Sequence, residues 1–99
     1  MSMDNQFKVA VRVVARSEGL PVRMITRPRC RRAQYARWRA VYLLCVCEGL
    51  SQVRVARLFR TSRRSVQRAL ACVEEVRDIA VADAAISQIE EDYRHALAA

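Results

Sequence analysis

Three arginines and a glutamine on one side of a predicted helix are the residues in this sequence best suited to chemistry. They follow Ser62 and are Arg63, Arg64, Gln67 and Arg68. On a helix with 3.6 residues per turn they share one face, while Val66, Leu70 and Val73 share the other. A guanidinium group binds a phosphate or the edge of a guanine through two hydrogen bonds. The pattern therefore indicates binding to nucleic acid.

Another predicted helix precedes this one and is joined to it by the short polar break at residues 60–62. Ser51 and Ser62 stand where the two helices begin, and a serine hydroxyl there accepts a hydrogen bond from a free backbone N–H. The apolar side of the first helix is formed at helical spacing by Val55, Leu58 and Phe59. Two short helices joined by a tight turn are typical of a helix-turn-helix unit. The same residues fit equally well two amphipathic helices whose basic faces are merely solvated.

The charge of the whole chain favours the nucleic-acid interpretation. The net charge is +8, with seventeen arginines and one lysine. Residues 1–68 carry 16 basic and 3 acidic side chains, a balance of +13, whereas residues 69–99 carry 2 basic and 7 acidic ones, a balance of −5. This asymmetry gives one end of a small domain a positive field that attracts polyanions. A membrane surface is also anionic, but no stretch approaches the ~20 apolar residues of a spanning helix, and we expect no membrane partner.

A second group of arginines lies in the basic segment, which we define as Thr26 to Arg32. It holds Arg27, Arg29, Arg31 and Arg32 around Pro28. Proline fits poorly inside a helix, so we predict an extended loop here, with the next helix beginning near Arg31. The segment is either a solvated linker or an arm that lies along phosphates or in a minor groove, where negative potential is concentrated. Arg37, near the start of that next helix, is expected to reach phosphates as well.

The cysteines and the single histidine do not form a metal-binding pattern. The cysteines are Cys30, Cys45, Cys47 and Cys72, and they lack the Cys-x-x-Cys spacing of a zinc ribbon. We interpret them as small core residues of a cytoplasmic protein, because the N-terminus is not a secretory signal. The sequence has no paired carboxylates, no activated nucleophile and no phosphate-binding glycine loop. We therefore expect no catalysis, no metal and no cofactor.

The apolar periodicity predicts a single all-α domain over residues 1–99, a compact bundle of about five to six helices with residues 1–5 disordered. The helices are predicted at about 4–17, 21–25, 31–48, 51–59, 62–77 and 81–97. The side chains predicted to face inward on helices outside the helix-turn-helix unit are Phe7, Val11, Val14, Val22, Ile25, Trp38, Val41, Tyr42, Cys45, Ile86, Ile89, Tyr93 and Leu97. Residues 43–47 are apolar nearly all round, which places the third helix at the centre of the bundle. The acidic last helix is expected to cover the core on the side away from the arginines.

Several of these stretches together resemble the C-terminal DNA-binding domain, the fourth domain, of the bacterial replication initiator DnaA. The similarity covers about Phe7 to Leu97. That family has a short G-V-P segment followed by a basic loop, where this chain has Gly19-Leu20-Pro21 and the basic segment. Its next helix reads roughly R-Q-I-A-M-Y-L, and here the residues are Arg37-Trp38-Arg39-Ala40-Val41-Tyr42-Leu43.

The resemblance continues without a gap through the predicted helix-turn-helix unit. The family's G-L-S and I-G-R-A-F are similar to Gly49-Leu50-Ser51 and Val55-Ala56-Arg57-Leu58-Phe59, and its cysteine followed by an acidic run is similar to Cys72-Val73-Glu74-Glu75. The family's base-reading signature R-D-H-[ST]-T-V is replaced by Thr61-Ser62-Arg63-Arg64-Ser65-Val66. The resemblance thus implies a Trp-repressor-like helix-turn-helix domain that binds the major groove, with the basic segment on the minor groove or backbone. It does not imply recognition of the family's nine-base origin box.

The leading hypothesis is a sequence-specific, nucleoid-associated DNA-binding regulator of transcription in bacteria, which binds double-stranded DNA as a monomer. Ser62 and Ser65 would then contact phosphate at the helix N-terminus. The ATPase domain of the initiator is missing, and the chain is either a stand-alone relative or a fragment. A modulator of replication-origin binding without ATPase activity is the second hypothesis. The third is a protein–protein adaptor that docks on RNA polymerase or another regulator through the last helix and its Ile/Tyr stripe.

Overall fold

The computed structural model describes residues 3–98, and these residues form six α-helices with no strand among them. The helices are α1 (Met3–Glu18), α2 (Val22–Thr26), α3 (Arg31–Tyr42), α4 (Gln52–Leu58), α5 (Arg63–Val76) and α6 (Ala80–Ala98). A π-helical segment, Leu43–Cys47, continues α3 directly. The prediction of an all-α bundle of five to six helices is confirmed. In this part of the chain, no helix combines the length and the apolar character needed to cross a bilayer.

The first helix begins earlier than predicted and ends at the predicted glycine. Residues 3–5 are helical, so the predicted disorder of residues 1–5 is wrong for them, while residues 1 and 2 lie outside the described part. Gly19 has a φ of 65°, and the backbone N–H of Leu20 donates to the carbonyl of Ala15 over 2.9 Å. This left-handed cap satisfies a carbonyl that has no partner within the helix.

The short helix α2 buries one of the two side chains predicted to face inward. Ile25 is fully buried, but Val22 is 45% exposed, so the inward orientation predicted for Val22 is wrong. A helix of little more than one turn can bury only the side that packs on its neighbours, here α1 and α3, and Ile25 occupies that side. Pro21 also differs from prediction, because it precedes the first helical residue instead of being that residue.

The third helix and its π-helical continuation lie at the centre of the bundle. Leu43 and Leu44 are fully buried, and α3 packs against α1, α2 and α5. Val46, however, is 49% exposed, so the segment is not buried all round as its composition predicted. The π-helical turn holds more residues than an α-turn and changes which side chains face the core. Trp38 is half-buried and packs against the edge of the core.

Two polar contacts tie α6 to the rest of the bundle. The hydroxyl of Tyr93, which is fully buried, donates to Glu48 Oε1 over 2.7 Å, and the amide of Gln6 donates to Glu48 Oε2 over 2.8 Å. Burial, and then the hydrogen bond to Glu48, raises the pKa of Tyr93 well above its ordinary value. These bonds connect α1, the end of the π-helical segment and α6, so the acidic helix is fixed in place by more than apolar packing.

Arg77, just after α5, forms the other contact with α6. Its guanidinium donates to Asp83 Oδ1 over 2.7 Å, to Glu90 Oε1 over 3.0 Å and to the hydroxyls of Ser87 and Tyr42. These hydrogen bonds, that to Asp83 first, raise the pKa of Arg77. This arginine therefore has a structural role, in contrast to those in α5.

Candidate nucleic-acid interface

The two helices of the predicted recognition unit, α4 and α5, are joined by a tight turn at residues 59–62. Ser51 Oγ accepts a hydrogen bond from the backbone N–H of Arg54 over 3.2 Å, and Ser62 Oγ accepts one from Ser65 over 3.1 Å. Both predicted N-caps are confirmed. Each cap satisfies one backbone N–H at the start of its helix, and Ser62 thereby helps to fix where α5 begins.

The turn after α4 depends on Arg60 in a left-handed conformation. Its φ is 54°, the only positive φ among the described non-glycine residues. The N–H of Thr61 donates to the carbonyl of Ala56 over 2.8 Å, and the N–H of Arg60 donates to Arg57 over 3.1 Å. This pair of bonds is the Schellman arrangement, which reverses the chain within a few residues and so sets the angle at which α5 leaves α4.

The outer face of α5 carries the predicted basic residues. All of the following are exposed: Arg63, Arg64, Gln67 and Arg68. Val66 and Ala69, on the inner face, are each 1% exposed. Arg63 Nε donates to Gln52 Oε1 over 3.3 Å, which links α5 to the start of α4. The helix thus presents guanidinium groups and one amide to solvent from a rigid, packed support.

The hydroxyls of Ser62 and Ser65 are exposed at the N-terminus of α5. Their oxygens are 3.0 Å apart, and the Ser62 hydroxyl donates to Ser65 while it caps the helix. The predicted phosphate contact of these two serines is compatible with their exposure, and it stays a prediction.

A groove between α3 and α5 brings the two groups of arginines together. We call it the α3/α5 groove. It has a volume of about 700 Å³ and is lined by Arg29, Cys30, Arg31, Gln34, Tyr35, Trp38 and Arg68. Arg29 belongs to the loop of residues 27–30 and Arg31 begins α3, whereas Arg68 is in the middle of α5. The basic segment and the basic helix therefore share one surface. Arg27 is exposed in the same loop.

Besides Arg63, two of the predicted site arginines have partners inside the domain. Arg32 donates from Nη2 to the backbone carbonyl of Glu18, at the end of α1. Arg37 donates to the carbonyl of Thr26 over 2.9 Å and to that of Phe59 over 2.6 Å, and its guanidinium lies 5.3 Å from the centre of the Phe59 ring. Burial lowers the pKa of Arg37. Both side chains hold chain segments together, but Arg37 is partly buried with both Nη atoms engaged, whereas Arg32 is exposed and has only Nη2 engaged.

The acidic helix α6 presents a different surface from the one predicted for a docking partner. Ile86, Ile89 and Tyr93 are at most 1% exposed, so the Ile/Tyr stripe is part of the core and is not accessible. Glu91 and Asp92 are exposed, while Glu90 is largely covered because it pairs with Arg77. The exposed side of this helix is therefore a mixture of charged, polar and small apolar side chains.

The prediction that the cysteines are core residues is wrong for Cys30, which is exposed, while Cys45, Cys47 and Cys72 are partly buried. All four are free thiols, and no group of three or more His, Cys, Asp or Glu side chains within residues 3–98 is arranged to hold a metal ion. Burial raises the pKa of both Cys45 and Cys47, and Glu90 adds to the effect on Cys47. These two thiols are therefore poor nucleophiles at neutral pH.

Two members of the groove, Gln34 and Tyr35, were not singled out from the sequence. Tyr35 is 51% exposed, and its ring centre lies 5.3 Å from that of Trp38. It precedes Trp38 by three residues and falls between Arg31 and Arg37 in the sequence. The sequence placed Trp38 and Tyr42 of this helix in the core and gave no role to Tyr35, which the fold leaves exposed.

Comparison with known proteins identifies no relative: no family model, no curated protein and no solved structure matches this chain.

Proposed function

We propose that this protein is a bacterial DNA-binding regulator whose α4 and α5 act as a helix-turn-helix unit on double-stranded DNA. In this proposal the outer face of α5 enters the major groove and the loop of residues 27–30 lies on the adjacent minor groove or backbone. The observation that carries it is the α3/α5 groove, in which Arg29 and Arg31 share one surface with Arg68. A duplex presents phosphates on both sides of its major groove. A protein that binds this groove therefore needs cationic side chains from more than one segment.

The exposure of the α5 side chains also supports the proposal. Among the described residues, none forms a hydrogen bond or ion pair with the side chains of Arg64, Gln67 or Arg68. Arginine residues that only stabilise a fold are paired internally, as Arg37 and Arg77 are here. Unpaired guanidinium groups on a rigid helix are suited to contact base edges and phosphates. We propose transcription as the process that the protein regulates.

Salt dependence tests the electrostatic part of the proposal. If the protein engages ~6–10 phosphates, its affinity for a duplex should fall ~10³–10⁵-fold between 50 and 200 mM salt. Fluorescence anisotropy with a labelled duplex of mixed sequence measures this directly. Affinity that hardly changes over that range would contradict the proposal.

The contribution of α5 is tested by the double variant Arg63→Ala, Arg64→Ala. Duplex binding should fall at least about thirtyfold, because two major-groove contacts of ~1–3 kcal/mol each are lost. The matched control is Arg12→Ala, Arg16→Ala, which removes the same charge from two exposed arginines in the separate groove between α1 and α6. Equal losses in the two variants would indicate nonspecific charge attraction. Selection of bound duplexes from a random pool then gives the target sequence.

Contact with RNA polymerase or another regulator is the second candidate function, and an exposed apolar surface favours it. Val76, Ile79 and Val81 are 37%, 60% and 81% exposed around the connection between α5 and α6. These three aliphatic side chains lie within six residues of one another, and contiguous exposed apolar surface is typical of protein interfaces. Ile79→Ser with Val81→Ser should abolish partner binding and leave DNA affinity unchanged, which a pull-down with purified polymerase and an anisotropy titration would measure in parallel.

A further inference from the structure

We propose that the α3/α5 groove receives one unpaired nucleotide of a DNA strand, with its base against the Tyr35 ring and its phosphate on Arg29, Arg31 and Arg68. The inference rests on the proposed function, and it adds that DNA containing an unpaired nucleotide is the preferred partner.

The aromatic pair provides the first observation. Tyr35 is 51% exposed although it lies on the helix at the centre of the bundle, and its ring is tilted by 59° to that of the half-buried Trp38. The ring contact with Trp38 restrains the tyrosine, and about half of its surface stays exposed to solvent. An exposed aromatic side chain beside cationic side chains is the arrangement that binds the bases of single-stranded nucleic acid.

The charges around the ring provide the second observation. Among the described residues, none forms a hydrogen bond or ion pair with the side chains of Arg29, Arg31 or Arg68. Their neighbours Arg32, Arg37 and Arg39 are all paired inside the domain. The three free guanidinium groups and the exposed tyrosine therefore line the same groove, where a phosphate and a base of one nucleotide can both be bound.

A smaller cavity adjoining the groove adds polar groups for the edge of a base. It has a volume of about 210 Å³, shares Gln34 and Trp38 with the groove, and is also lined by Thr61 and Ser65. The Gln34 amide both donates and accepts hydrogen bonds, as a base edge requires. In an intact duplex the base faces are covered by their neighbours, so only an unpaired or extruded base can present a face to Tyr35.

The experiment compares a fluorescein-labelled blunt duplex with the same duplex carrying one unpaired thymidine in the middle of one strand. Wild-type protein should bind the bulged duplex about tenfold more tightly than the blunt one. Tyr35→Ala should remove that preference, so that the variant binds the bulged and the blunt duplex with equal affinity. Tyr35→Phe, which keeps the ring and removes only the hydroxyl, should retain the preference. Because Tyr35 is half exposed, neither substitution should prevent folding.

Trp38 is the only tryptophan in the chain and gives an independent reading. Its fluorescence should be quenched by the bulged duplex, and less so by the blunt one. Equal affinity of the wild-type protein for both probes would overturn this inference and leave the proposed function standing. A preference that survives in Tyr35→Ala would overturn it too, since a bulge that merely bends more easily would not need the ring. If neither probe binds, the proposed function and the inference both fail.

Discussion

Arg29 and Arg68 line the same groove, although one lies in the loop before α3 and the other in the middle of α5. The packing of α3 on α5 produces this juxtaposition, since it places the N-terminal half of α3 beside the basic helix. A positive surface built from two segments can follow two parts of a duplex at once. This geometric relationship makes DNA the favoured partner, and the predictions below test it and the packing that maintains it.

Removal of either groove arginine should weaken DNA binding and reduce its dependence on salt. We expect Arg29→Ala and Arg68→Ala each to lower duplex affinity about fivefold to tenfold near 100 mM salt, and to reduce the slope of log affinity against log salt by about one. Anisotropy titrations at several salt concentrations measure both quantities. Arg12→Ala is the matched control and should leave the slope unchanged, because Arg12 lines the other groove. An unchanged slope in Arg68→Ala would place Arg68 away from the phosphates.

We expect Arg37 to stabilise the fold and not to contact DNA. Arg37→Ala leaves the carbonyls of Thr26 and Phe59 without their donor and removes the guanidinium from the Phe59 ring. We expect the free energy of unfolding to fall by about 2 kcal/mol, measured by urea denaturation. Arg37→Lys should recover little, because an ammonium group cannot bridge two carbonyls with the planar geometry of a guanidinium. Arg23→Ala, at an exposed position of α2, should change stability by less than ~0.5 kcal/mol. A stable Arg37→Ala protein that fails to bind DNA would instead make Arg37 a contact residue.

Glycine at position 60 should stabilise the protein. Arg60 has a φ of 54°, a conformation that is unfavourable for residues with a Cβ and accessible to glycine without strain. We expect Arg60→Gly to gain about 1 kcal/mol, which corresponds to a rise in Tm of about 4–8 °C for a domain of this size. Arg60→Ala separates the two effects of the substitution, since it removes the charge but keeps the strain, and its Tm should not rise. Circular dichroism during heating measures both variants.

Tyr93 should make the stability decrease at alkaline pH. Burial raises the pKa of Tyr93 in the folded protein, whereas in the unfolded chain the pKa stays near its ordinary value of about 10. The folded state then holds the proton more tightly. The contribution of the protonated Tyr93 hydroxyl to the free energy of unfolding is complete below pH ~10. Above that pH the free energy of unfolding falls by up to ~1.4 kcal/mol for each pH unit.

The variant Tyr93→Phe tests whether ionisation of Tyr93 lowers the stability at alkaline pH. At neutral pH it should be less stable than the wild-type protein by about 1–2 kcal/mol, because Glu48 loses a hydrogen-bond donor. Above pH 10 the difference between the two proteins should narrow, since the unfolded variant has no hydroxyl to ionise at this position. Urea denaturation at pH 8 and at pH 10.5 measures the difference. A gap that widens with pH would contradict the assignment.

Local patterns in the sequence were sufficient to predict the six helices and several of their ends. Ser51, Ser62 and Gly19 act as caps where their side-chain chemistry or backbone freedom predicted, because capping depends on neighbours within a few residues. The buried faces of α5 and α6 also followed from the 3.6-residue period. Val22 and Val46 were assigned wrongly, since their exposure depends on where a short helix and a π-helical turn meet the rest of the bundle.

The roles of the individual arginines were decided only by the tertiary structure. The sequence indicated that the first two thirds of the chain is strongly basic, but Arg29, Arg32 and Arg37 look alike in it. In the folded protein Arg29 lines an open groove, Arg32 binds the end of α1 and Arg37 bridges two backbone carbonyls. Charge is a property of the residue type, whereas the availability of that charge depends on which atoms the fold brings within hydrogen-bonding distance. The same reason explains why Tyr35 entered the candidate site only once α5 was placed beside α3.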